Sequence, residues 1–331
     1  MTDVMRARTL KIGKAELGLP IFFPSVSSVK TALAPLAYVR VINALLRATN
    51  GQFLVSAFDL CGTNEAERTA FQGELTHARE AGTVVLMDSG NYESYWKNAR
   101  LEWTHADFHK VLRDFHCDLA FGFDEQEPPG DHDQHIRLIL DRLGQDQAAA
   151  GPTTIIPIIH GGPADLPALC AEVAQATRVK MLAVPERRLG SGIYERAKAI
   201  ADIRRALNDT ERYVHLHLLG TGNPISIALY SINGADSFDG LEWCQTVVDH
   251  ESALLFHFSQ ADFFRAQTNW GEQDLDFQTR VLAHNLEFYT DWMRRLREAI
   301  HDGQGIDFCR LNFPHRIFLQ CTAALGWTVN T

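Results

Sequence analysis

Short, nearly continuous apolar runs separated by amphipathic stretches recur along most of the chain, and this alternation constrains the fold more than any other feature. The runs are PIFFPSV (20–26), FLVSAFDL (53–60), TVVLMDS (83–89), DLAFGFD (118–124), TIIPIIH (154–160), VKMLAV (179–184) and YVHLHLL (213–219). A strand wetted on one face alternates apolar and polar residues. These runs are apolar almost throughout, as parallel strands covered on both faces require. Between them, residues 105–115, 132–143, 164–176 and 193–207 carry apolar residues at helical spacing. A later segment, 281–300, has a stripe of Leu282, Leu286, Tyr289, Met293, Leu296 and Ile300, with Arg294, Arg295 and Arg297 off it. Gly303 and Gly305 just beyond suit a stop.

Strand–helix repetition at this spacing predicts a parallel α/β protein. No Gly-rich dinucleotide fingerprint follows the first strand; GTGNP (220–224) is the nearest match and comes late. A single (β/α)8 TIM-like barrel over residues 1–331 is therefore the expected architecture, and no Pro/Ser-rich linker divides it.

Composition narrows the function classes. A net charge of −10 argues against a basic protein that coats nucleic acid. The six Cys form no CxxC pair, so neither a disulfide framework nor a zinc ribbon is expected, and a reducing cytoplasm is the expected compartment. The start, MTDVMRARTLKIGKAELG, is charged and unlike a signal peptide, and the apolar stretches are too short to cross a bilayer.

In a (β/α)8 barrel the active site gathers at the C-terminal ends of the strands. The runs end in Asp88-Ser89-Gly90, Asp124-Glu125, His160-Gly161-Gly162, Pro185-Glu186 and Gly220-Thr221-Gly222, and ADSF (235–238) in Asp239-Gly240. Any one of these Asp residues taken alone reads better as a turn or helix cap. Three of them converging on one rim point instead to acid–base and nucleophilic chemistry, with a glycosidic carbon as the natural target. A third carboxylate can read a base edge by accepting from ring N–H and amino groups.

Seven segments in order then resemble the tRNA-guanine transglycosylase family over roughly residues 20–302: DSGNYE (88–93), FDEQEPP (123–129), IIPIIHGG (155–162), LAVPE (182–186), LLGTGNP (218–224), GADSFDG (234–240) and HNLEFYTDWMRRLREAI (284–300). The resemblance implies base exchange: attack on ribose C1′ by an Asp, release of guanine, and entry of a 7-deazaguanine. It implies Asp239 as nucleophile, Asp88 as general acid/base, and Asp124 on the Watson–Crick edge. Tyr92 and Leu219 would stack on the base. His160 would stand where the family has a substrate-binding Gln, and Leu182, Ala183 and Gly220 would line the pocket. Ser89 and Gly90 would make the turn that presents Asp88, Gly90 leaving room for the ligand. The implied partners are a nucleic acid, DNA or tRNA, and a free 7-deazaguanine base, with a second copy of the chain left open; no cofactor and no membrane are implied.

The chain departs from the family in two places. The family's structural zinc uses a C-x-C-x-x-C set ahead of the His of HNL, and residues 251–264 contain no Cys, so no metal is expected at His284. Trp243-Cys244-Gln245 stand where Pro-Thr-Arg usually follows the nucleophile. PERRLGSGIYERA (185–197), GNP (222–224) and FDGLEW (238–243) are more similar to the branch that acts on DNA. A silent nucleic-acid-binding subunit and a nucleoside-active glycosyl hydrolase are the alternative functions.

Other residues read two ways. His215 and His217 face one side of a strand, as a metal pair or as buried polar residues, with His217 close enough to the base pocket to touch substrate. Arg187 and Arg188 suit phosphate or a solvated loop. Tyr95 and Trp96 suit stacking or packing.

Overall fold

The computed structural model describes residues 6–29, 31–46, 51–92 and 103–328; Tyr95 and Trp96 lie outside the described residues. An antiparallel hairpin, β1 (Thr9–Ile12) and β2 (Ala15–Gly18), comes first. Eight parallel strands follow: β3 (Ile21–Val26), β4 (Gln52–Ser56), β5 (Val84–Asp88), β6 (Leu119–Phe121), β7 (Thr154–Ile156), β8 (Met181–Pro185), β9 (His215–Leu219) and β10 (Ser237–Gly240). Their order in the sheet is β7-β6-β5-β4-β3-β10-β9-β8. The two outer strands nearly close the sheet, because the Ala183 amide donates to the Pro157 carbonyl (2.9 Å) and the Ile159 amide to the Ala183 carbonyl (2.8 Å). The sheet is barrel-like, ringed by helices, and each apolar run contains one of its strands.

Residue parity along each strand decides what faces inward. Ile21 and Phe23, Val84 and Leu86, Leu119 and Phe121, Ile156 and Ile158, and Met181 and Ala183 form the inner core. Leu10, Ile12, Leu17 and Leu19, from the hairpin and the turn after it, join them. The opposite parity, including Phe53, Val55, Val85, Leu182, Val184, Leu216, Leu218 and Phe238, packs outward against the helices. Continuing the inward parity toward the C-terminal ends brings Ser25, Asp88, Leu219 and Asp239 into the mouth of the barrel, with His217 buried below Leu219.

The helices at 105–114, 132–149, 166–177 and 193–208 match the sequence pattern. The long helix Phe277–His301 buries Leu282, Leu286, Tyr289, Met293 and Leu296. Two segments differ. Residues 57–60 of the second run belong to a short helix, Ala57–Cys61. The polar helix Glu65–Glu80 buries only Phe71, Leu75 and Ala78, too sparse a stripe to stand out. A second small antiparallel pair, β11 (Thr246–Val248) and β12 (Leu255–His257), follows the barrel. Among the described residues no helix is long and apolar enough to cross a membrane.

Candidate active site

The strand ends enclose a cavity of about 320 Å³ at the C-terminal face of the barrel. This lies at the lower end of the range for small-molecule sites. Asp88, Tyr92, Asp124, His160, Leu219, Gly220 and Asp239 all line it.

Asp239 is held by three donors to its carboxylate. Its Oδ1 accepts from His217 Nε2 (3.0 Å) and from the Gly220 amide (3.1 Å), and its Oδ2 accepts from Ser25 Oγ (2.9 Å). The Thr221 amide donates to its carbonyl at 2.6 Å. The GTGNP motif shapes this grip. Gly220 takes φ +77°, which favours glycine, and Asn223 caps the helix Pro224–Ile232 by accepting from the Ile225 and Ser226 amides. His217 has no exposed surface, is bonded to Ser237 Oγ through Nδ1 (2.9 Å), and lies against Phe121 and Phe23. It stands behind the nucleophile candidate rather than in the cavity. His215 packs edge-on against Tyr213, and burial lowers its pKa.

Asp88 ends β5 in register with Ser56 of β4, and its Oδ2 accepts from the Gly90 amide at 3.2 Å. Gly90 has φ +78°, and a Cβ there would come within 2.5 Å of the Phe58 backbone nitrogen. Phe58, not a ligand, is thus what forbids a side chain at this turn.

Asp124 is built into a network. Its Oδ2 accepts from His160 Nε2 (2.6 Å) and Gln126 Nε2 (2.6 Å), and its Oδ1 from Asn91 Nδ2 (3.1 Å). A carboxylate has about four lone-pair sites, so capacity remains for a ligand donor. Among the described residues His160 Nδ1 is buried with no hydrogen-bond partner. Tyr92 is 43 % exposed, and the Arg187 guanidinium lies 5.1 Å from its ring centre. Arg187 and Arg188 both reach Gln126, so they brace the rim.

Two expected residues do not line the cavity. Leu182 has outward parity and is buried under the helices, and Ala183 lies deeper in the barrel, opposite Ile158. Glu186, one of the strand-end residues, lines the cavity too, together with Ser25, Gln126 and Glu242, to which the sequence reading assigned no role. Ser25 was legible as the inward residue at the end of the first run. Glu242 follows Asp239 by three residues. Burial pushes the Glu242 carboxyl up to about 7, with Asp239 and Glu186 adding to the rise, while its own amide and that of Gly222 oppose it.

His284 Nε2 faces the Val248 carbonyl (2.8 Å), its Nδ1 lies 3.4 Å from Thr268 Oγ1, and the His250 ring packs beside it. Among the described residues one other group has the atoms for a metal: His105, His109 and Asp146. There Arg142 donates to His105 Nδ1 (2.8 Å), which places the ring proton on Nε2, bonded to Asp146. Asp146 also accepts from His109 Nε2 and from the Phe123 amide (both 2.8 Å). The cluster is satisfied as a hydrogen-bond network, and it anchors the residue before Asp124.

Compared with known proteins, the chain matches no family model and no curated protein.

Proposed function

We propose that the protein is a base-exchange glycosyltransferase, replacing guanine in a nucleic acid by a 7-deazaguanine through a covalent aspartyl intermediate. The observation that carries this reading is the Asp239 carboxylate, fixed by Ser25, His217 and Gly220 at the barrel mouth, sharing one cavity with Asp88 and the Asp124–His160 pair.

Oδ2 of Asp239, which among the described residues accepts from Ser25 alone, attacks C1′ of the flipped nucleotide as the C1′–N9 bond breaks. Asp88 delivers a proton to the departing guanine. The incoming base gives its proton back to Asp88 and attacks C1′, which releases the Asp239 carboxylate. Asp124 accepts hydrogen bonds from the N–H groups of the base edge, oriented by His160. Tyr92 and Leu219 offer surfaces for its faces.

The donor set at His284 does not suit the zinc of the resembled family, since residues 251–264 hold no Cys. No step of the reaction runs through a metal there.

Labelled guanine incubated with the protein and either tRNA, duplex DNA or free nucleosides tests the reading. Label entering one of the polymers supports it. Guanosine hydrolysis with no label entering either polymer would make the protein a nucleoside hydrolase. Binding without turnover would make it a silent subunit.

A further inference from the structure

Glu242 has no part in the reaction above, yet the chain is built around it. Its Oε2 lies so close to Gly222 and Gly240 that a Cβ at either position would overlap it. Gly222 belongs to the loop after β9, and Gly240 directly follows Asp239. Gly222 of GTGNP and Gly240 of FDGLEW therefore form a cradle for one carboxyl at the edge of the cavity. Among the described residues no cation pairs with it. The charged and titratable groups facing it are Asp239 from β10, Glu186 from the end of β8, Tyr289 from the long helix and Cys244 from its own. Glu186 is matched by Arg196 (2.9 Å) and receives the Tyr230 hydroxyl (2.9 Å). None of these groups compensates a negative charge on Glu242; among the described residues only its own amide and that of Gly222 favour the ionised form.

The order of strands says which part of a nucleotide reaches it. Asp124 and His160, in the loops that follow β6 and β7, lie across the barrel from β10 and β3. With the base edge on that far side and C1′ at Asp239, Glu242 falls on the sugar–phosphate side. An ionised carboxyl there would repel the strand, whereas a protonated one donates a hydrogen bond. Resting on the base-exchange reading, we propose that Glu242 is a substrate-binding residue that enters the complex protonated and donates to a phosphate oxygen beside the flipped nucleotide.

The test is the affinity of the full chain for a fluorescent guanosine-containing oligonucleotide, DNA or RNA, between pH 6 and 8.5. Wild type should bind about tenfold or more weakly at pH 8.5 than at pH 6, because one proton must be taken up on binding. Glu242→Gln, a neutral donor of the same shape, should bind with nearly equal affinity at both pH values. If that variant does not fold, Glu242→Ala should give the same flat profile at lower affinity. Methylphosphonates at the flanking linkages, which remove the charge that an ionised Glu242 would repel, should weaken the pH dependence of wild type. A dependence that they leave undiminished, that persists in Glu242→Gln, or that is missing from wild type overturns this inference alone. Failure of wild type to bind either oligonucleotide at any pH would overturn the proposed function as well.

Discussion

Replacing His217 by Phe separates a nucleophile that is positioned from one that is merely present. Phe keeps an aromatic ring beside Phe121, at a centroid distance of 4.8 Å in the native pair, so little cavity is created. It removes the bonds to Asp239 Oδ1 (3.0 Å) and to Ser237 Oγ (2.9 Å). A hydrogen bond to a charged acceptor contributes about 1.5–3 kcal/mol and a neutral one about 0.5–1.5, so stability should fall by roughly 2–4 kcal/mol. At about 2.1 cal/mol/K of unfolding entropy per residue, this is roughly 3–6 °C in Tm. The effect on rate should be larger. Asp239 keeps the Gly220 amide and Ser25 but loses the donor that fixes the angle of its carboxylate, and a misplacement of about 1 Å costs on the order of 10²-fold. The assay is single-turnover guanine exchange on folded variant, with Tm from a calorimetric scan. Exchange within about threefold of wild type, alongside the loss of Tm, would refute the claim that His217 orients the nucleophile.

Asp88→Ala should lower exchange by about 10²–10⁴-fold while the protein melts within a few degrees of wild type; a loss under about threefold would remove its acid/base role. Asp236→Asn should be structural. Arg204 and Asp236 are each 2 % exposed and paired, and Asp236 also accepts from the Leu216 amide and the Tyr213 hydroxyl. Breaking such a pair costs about 3–5 kcal/mol, so thermal unfolding should move down by roughly 4–7 °C, and an unchanged melt would contradict the pairing. Elemental analysis should find zinc far below one equivalent, and near-stoichiometric zinc retained through chelator dialysis would show that His284 has ligands outside this account.

The barrel was legible because its strands are covered on both faces, which leaves continuous apolar runs in the sequence. The same property hid the end of the second run. Residues 57–60 are as apolar as the strand before them, and only the backbone turn at Ser56 separates the two. The site acids were readable as the Asp residues that close the apolar runs, although Asp124 lies beyond β6, in the loop that follows it. Side-chain direction was harder. Leu182 and Ala183 stand one residue apart in a motif that resembles a pocket wall, and parity sends Leu182 outward under the helices. The partners of Asp239 come from β3, β9 and the loop after β9, far apart in sequence, so no spacing rule finds them. Glu242 was hidden for a different reason. A Glu at the start of a short helix reads as a helix-terminus charge until Gly222 and Gly240 are brought against it.

The central claim is that Asp239 forms a bond to C1′. Protein incubated with guanosine-containing nucleic acid and a base analogue that stalls the second half of the reaction should run on a denaturing gel as a protein–nucleic acid adduct. Asp239→Asn, which keeps its shape but cannot attack as a carboxylate, should give none. An adduct of undiminished intensity in Asp239→Asn would contradict the account.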